Sequence, residues 1–182
     1  MIKPVKSNPK GFGIHSPFAF NLVNRVIFAG YGKSGWLSGW PWTRRKQNGD
    51  IRELLNRLLE YFSPERILVY NAESDPDRFF SGKLSGNAKL LYVRSGESVK
   101  ILPGDFIFLQ EGEMTGLVTH NVKHDLVMFL ADIRSTSGRE YFKKLGSDDN
   151  VSQTYELNNC GIAIFNPKFQ KENFVIKGKI SY

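Results

Sequence analysis

Apolar positions along this chain fall into two periodicities, and the switches between them mark out its elements. Behind Pro17, a residue suited to the first turn of a helix, Phe18, Leu22, Val26 and Ile27 recur at helical spacing and predict a helix through about Phe28. Ile51, Leu54, Leu55, Leu58, Leu59 and Phe62 make a broad helical stripe. Asp50 and Glu53 stand ahead of it as a capping box, and Ser63-Pro64 stops it. Short continuous apolar runs then take over at 66–70, 89–93, 106–109 and 126–130, the pattern of strands buried on both faces. Asp75-Pro76 opens a short predicted helix through Phe80, and Ser135, Thr136 or Ser137 caps a longer one through Leu145. Strands at 151–157, 161–166 and 173–177 close the chain, with Asn158-Asn159-Cys160-Gly161 as the turn of a hairpin between the first two.

Strands alternating with helices and then a terminal hairpin imply an α/β fold, its sheet mainly parallel with an antiparallel edge. Residues 1–49 read as a basic arm, one helix and a Trp/Gly-rich loop, and residues 50–182 as the core, all in a single structural domain. The link between the second and third strands barely meets the length of a parallel crossover, so the body is an abbreviated member of its class, with about six strands.

Composition narrows the picture further. At 182 residues, 41% hydrophobic and 24% charged, the chain is of ordinary globular make-up, which excludes disordered and collagen-like classes. No apolar run approaches a membrane span and no apolar leader follows Lys3, Lys6 and Lys10, so a cytoplasmic protein without a membrane partner is expected. The single cysteine, Cys160, excludes an internal disulfide and a cysteine-built metal site. Charge is placed unevenly: residues 1–60 hold ten basic and three acidic residues, and so carry the whole excess of +7. A basic third on a neutral body offers a contact for nucleic acid, a protein or another anionic surface, or only a solvated arm. Trp36, Trp40 and Trp42 either pack onto the core or form an adhesive patch, which permits a homodimer.

Candidate chemistry is sparse. His120 and His124 are four apart without the glutamate of a zinc-protease motif, so no metal is expected. The serines lack a nucleophile elbow, there is no Walker A motif, and Gly11–Gly13 follows no strand. His15 offers a general base or a contact at the helix entry. Asp132 follows the fourth strand, where open α/β sheets bind ligands, and serves either there or as a loop or cap residue.

Three stretches carry a resemblance. Lys10-Gly11-Phe12-Gly13-Ile14-His15-Ser16-Pro17-Phe18 resembles the N-terminal signature of a group of class I S-adenosylmethionine-dependent methyltransferase-like proteins from Bacteroidetes. Cys160-Gly161-Ile162-Ala163-Ile164-Phe165, with Glu172-Asn173-Phe174, is similar to that group's closing hairpin, and Ala131-Asp132-Ile133-Arg134 with Gly138 to its Asp-Asp-Ile segment. The resemblance implies a Rossmann-like three-layer fold with a C-terminal antiparallel β-hairpin.

The departures from that pattern shape the functional expectation. Where the family has an acidic, glycine-rich turn for the cofactor, this chain has Val69-Tyr70-Asn71-Ala72-Glu73-Ser74-Asp75, with no glycine for a close backbone approach. The carboxylate expected to grip the ribose is replaced by Arg94, which only donates. The Asp after the fourth core strand is Gln110, followed by Glu111, and the first Asp of the pair is Ala131. The third core strand and its helix are missing. Losing several charged hydrogen bonds costs affinity by decades. The expectation is therefore a degenerate, non-catalytic methyltransferase-like domain that acts in binding and takes no cofactor. The alternative is an active enzyme with a rewired site, in which Asn71, Glu73, Arg94 and Glu111 bind S-adenosylmethionine and His15 or Asp132 lies near the transferred methyl. A nucleic-acid-binding module is the third reading.

Overall fold

The computed structural model describes residues 14–28, 51–70, 79–80, 88–94, 97, 99–110 and 125–176, together with the backbone of 5–7. One sheet of eight strands organises them: β1 (Val5–Ser7), β2 (Arg66–Tyr70), β3 (Lys89–Val93), β4 (Phe106–Leu109), β5 (Leu126–Leu130), β6 (Gln153–Glu156), β7 (Gly161–Phe165) and β8 (Glu172–Ile176). Their spatial order is β1-β8-β6-β7-β5-β4-β2-β3. Every neighbouring pair runs parallel except β5–β7 and β6–β7, so β7 alone is reversed.

The α/β class and the mainly parallel sheet agree with the pattern of the sequence. Three details differ. The sheet has eight strands rather than about six. The antiparallel strand lies inside the sheet rather than at its edge, because β8 crosses under β6 and pairs parallel with it on the far side. The start of the expected arm is also part of the sheet, with β1 pairing parallel to β8. An unpaired β8 would leave a row of backbone donors and acceptors exposed, and a three-residue strand covers it.

Helices cover both faces. On one lie α1 (Pro17–Leu22), the π-helical turn Val23–Ile27 that continues it, and α2 (Ile51–Phe62); on the other lies α3 (Thr136–Ser147). The first core joins Leu22, Val26, Ile27, Leu54, Leu55 and Leu58 to Ile67, Val69, Phe106, Phe108, Phe129 and Ile162. The second joins Leu68, Tyr70, Ile107, Leu109, Met128 and Leu130 to Tyr141, Phe142 and Leu145. Alternate residues of one strand enter opposite cores, as the two-residue period of a strand requires. Residues 14–28 share the first core with α2, so this part of the N-terminal third belongs to the body.

Local chemistry explains the ends of the elements. Ser16 Oγ accepts the Ala19 N–H at 3.3 Å as N-cap of α1, with Pro17 as first helical residue. The helix expected through Phe28 does reach Ile27 but widens after Leu22, where the Asn24 side-chain amide takes the Phe20 carbonyl at 2.9 Å and Phe28 N–H reaches back to Val23. Ser63 ends α2 in the left-handed region at φ 44°, its N–H on the Leu59 carbonyl at 2.8 Å. Pro103-Gly104 forms a turn closed by Asp105 N–H to the Leu102 carbonyl at 3.2 Å; Gly104 at φ 81° supplies the positive φ of its second central position. The short helix expected through Phe80 lies outside the described residues up to residue 78, and Phe79-Phe80 itself is a bend.

An ion pair fixes the edge formed by the strands' N-terminal ends. Arg66, opening β2, donates through Nε to Asp105 Oδ1 at 2.8 Å and through Nη2 to Oδ2 at 2.5 Å. Asp105, 3% exposed, also accepts the Leu102 N–H at 2.7 Å. The carboxylate raises the guanidinium's pKa through its hydrogen bonds. Replacing Asp105 by Ala leaves Arg66 and the turn amide without their acceptor. Arg66 keeps partial access to water, so urea denaturation is expected to show a loss of about 2–3 kcal/mol.

Tyr155 is fully buried, stacks on Phe174 at 5.0 Å and donates to Gln153 Oε1 at 2.7 Å. Burial first, then the charges of Glu172 and Tyr61, push its phenol well above the usual value; burial, then Asp105, raises Tyr70 as well. In the unfolded chain both phenols ionise near pH 10, while the folded chain holds their protons. Stability is therefore unaffected by these groups below pH ~10 and falls above it. Tyr155→Phe should remove about 1.4 kcal/mol of the stability lost between pH 9 and 11, measured by urea denaturation across that range.

Candidate functional site

In an open α/β sheet, ligands bind outside the carboxyl ends of the strands, where the strand order reverses. Here the chain leaves β2, places β3 on one side, and returns to place β4 on the other. The switch point therefore lies between the C-terminal ends of β2 and β4, at Tyr70 and Gln110.

The described residues there are buried. Tyr70 and Gln110 are 5% and 3% exposed, and Gln110 N–H extends the ladder onto the Tyr70 carbonyl at 3.4 Å. Tyr70 packs with Val93 and Leu109 on one face. On the other, Phe79 and Phe80 lie against the Phe108 ring, with centroids 5.1 and 5.3 Å away. Aromatic side chains thus pack on both faces of the sheet beside the switch point.

Arg94 stands exposed just past β3. Its N–H donates to Glu97 Oε2 at 3.0 Å, and Glu97 N–H donates to the Arg94 carbonyl at 3.1 Å, closing a turn. Glu97 is a carboxylate that reading position by position missed. A turn returns it to the end of the strand, and the only signal in the sequence is Ser95-Gly96 between it and Arg94.

Asp132 lies two residues beyond β5, half-buried, and its Oδ1 accepts the Arg134 N–H at 2.7 Å. This bond is of the kind a loop role gives. Gly138 in the first turn of α3 holds that loop: a Cβ there would lie 2.3 Å from the Asp132 carbonyl oxygen and 2.9 Å from Ser135 Oγ. Gly161, expected as a turn residue, is not at positive φ and is required by packing, since its Cβ would lie 2.4 Å from the Phe142 ring.

His15 is exposed at the opposite edge of the sheet. The adjacent Ser16 Oγ receives Gln153 Nε2 at 3.4 Å, at the first residue of β6. Asp132, by contrast, neighbours Ile133, whose N–H bonds to Asn159 in the hairpin beyond the last residue of β6. The two candidate catalytic residues are thus separated by the length of β6, roughly 13 Å for four residues at ~3.3 Å each. They do not form one centre. The Gly-Ile-His-Ser-Pro-Phe run builds structure in its described part: Ile14 is buried, Ser16 caps, Pro17 starts α1, and Phe18 packs on Phe169 at 4.5 Å.

Asn71, Glu73 and Glu111 lie outside the described residues, as do His120, His124, the Trp-rich loop and Arg44-Arg45-Lys46. Cys160 is buried in the hairpin. Among the described residues no cluster of His, Cys, Asp or Glu is placed to hold a metal, and no helix is long and apolar enough to cross a membrane. No family model, no curated protein and no solved structure matches this chain.

The two described glycines of α3 separate backbone crowding from helix propensity. Gly138→Ala should destabilise the chain by about 2–3 kcal/mol. Gly146→Ala, whose Cβ meets only the Asn173 side chain at 3.8 Å, should stabilise it by about 0.5–1 kcal/mol. Paired urea denaturation curves check the opposite signs.

Proposed function

We propose that this chain is a methyltransferase-like, Rossmann-like domain with a degenerate S-adenosylmethionine site, acting in binding rather than catalysis. The observation that carries the reading is the aromatic packing beside the switch point. Phe79 and Phe80 are buried on Phe108, and Tyr70 is buried on the other face, where a cofactor needs room and polar partners. The single reversed strand within an otherwise parallel sheet supports the family resemblance. So does the position of β3 at the edge, where a third core strand would continue. Asp132 is engaged with its own loop, and Arg94 presents a donor where ribose hydroxyls need an acceptor.

One observation favours the active-enzyme reading: Glu97 places a carboxylate next to Arg94 at the end of β3, able to accept from ribose hydroxyls. Calorimetric titration of S-adenosylmethionine and S-adenosylhomocysteine into the purified full chain separates the two. The degenerate reading expects no heat up to millimolar ligand. Micromolar binding that Glu97→Gln weakens tenfold or more would replace it with the enzyme reading.

A further inference from the structure

The edge of the sheet away from the switch point carries a cleft of about 290 Å³, at the small end of ligand pockets. Three phenylalanines from three separate segments wall it: Phe18 of α1, Phe62 ending α2, and Phe169 in the loop that crosses under β6. The Phe18 ring lies 4.5 Å from that of Phe169 and 6.4 Å from that of Phe62. All three are only half-buried, so each keeps ring surface for a guest. Ring faces carry negative quadrupole potential and attract cations.

The polar groups of the cleft add the same sign. Two carboxylates line it, and they are not equivalent. Asp105 is neutralised by Arg66, which does not itself line the cleft. Asp125 is exposed, its backbone carbonyl takes the Gly104 N–H at 2.8 Å, and its carboxylate makes no ion pair among the described residues. Asn166 Oδ1 already accepts the Lys168 N–H at 2.9 Å. Among the described residues the cleft thus offers aromatic surface beside one carboxylate that makes no ion pair. A primary ammonium brings three N–H donors that need acceptors, whereas a quaternary ammonium has no N–H and is satisfied by ring faces and a nearby charge.

We propose that the cleft formed by Phe18, Phe62 and Phe169 beside Asp125 binds a small quaternary ammonium cation. It lies at the opposite edge from the switch point, and its outcome is independent of S-adenosylmethionine binding.

The test compares choline with its uncharged isostere 3,3-dimethylbutan-1-ol, titrated into the full chain and followed by NMR on the phenylalanine ring signals. Choline is expected to shift the rings of Phe18, Phe62 and Phe169, with an affinity about fivefold or more above that of the alcohol. Asp125→Asn, at an exposed position whose backbone contact is kept, should remove most of that preference while leaving the weak alcohol shifts unchanged. Phe169→Ala should weaken choline severalfold. Equal affinity for the two probes, a preference that survives in Asp125→Asn, or no ring shift up to about 100 mM choline would each overturn the proposal.

Discussion

Four adjacent strands, β7, β5, β4 and β2, carry the molecule's architecture because nearly every side chain on them is buried on one face or the other. A sheet of that kind is stable only if an apolar helical layer covers each face and the strand order lets helices cross on both sides. The α1–α2 layer and α3 meet that demand. Gly161 shows how closely: the ring of Phe142 on α3 lies where the side chain of any other residue at the start of β7 would go. Reversing β7 lets the chain return from the hairpin without another crossover helix, and it then has to pass under β6 to place β8.

That passage gives the two edges of the sheet different characters. At the N-terminal ends of the strands, contacts between distant segments accumulate. Arg66 is held by Asp105, and Gln153 bonds to both Ser16 and Glu172. Lys171 donates to the carbonyls of Asp148 and Val151, the latter at 2.7 Å, and burial lowers its pKa. Phe169, carried by the same loop, completes the aromatic wall with Phe18 and Phe62. This edge is stapled and concave. At the other edge, where sheets of this class bind ligands, Glu97 accepts from Arg94 and Asp132 from Arg134 within their own loops, Ile133 N–H reaches the Asn159 carbonyl, and aromatic side chains pack beside the switch point.

The elements were largely legible along the chain because their causes are local. An apolar stripe with Ser63-Pro64 behind it fixes α2 wherever it packs, and uninterrupted apolar runs fix β2, β4 and β5. The widening after Leu22 was not legible, since Asn24 is an ordinary polar residue until its amide takes the Phe20 carbonyl. β1 was hidden for a related reason: three residues in a polar arm become a strand only because the outer edge of β8 stands open beside them. The candidate site was less legible still. His15 and Asp132 are both plausible by residue type, and only the direction of β6 shows that they face opposite ends of the sheet.

What the sequence determined alone, then, is the class of the fold, most element boundaries and the charge of the first third, all of which depend on residue type and near-neighbour spacing. The tertiary structure decided the strand order, the place of the reversed strand and the partners of Asp105. It also decided the separation of His15 from Asp132 and the meeting of Phe18, Phe62 and Phe169 around one cleft. Those depend on which segments pair across long stretches of chain, and that choice follows from burying both faces of a single sheet at once rather than from any local run of residues.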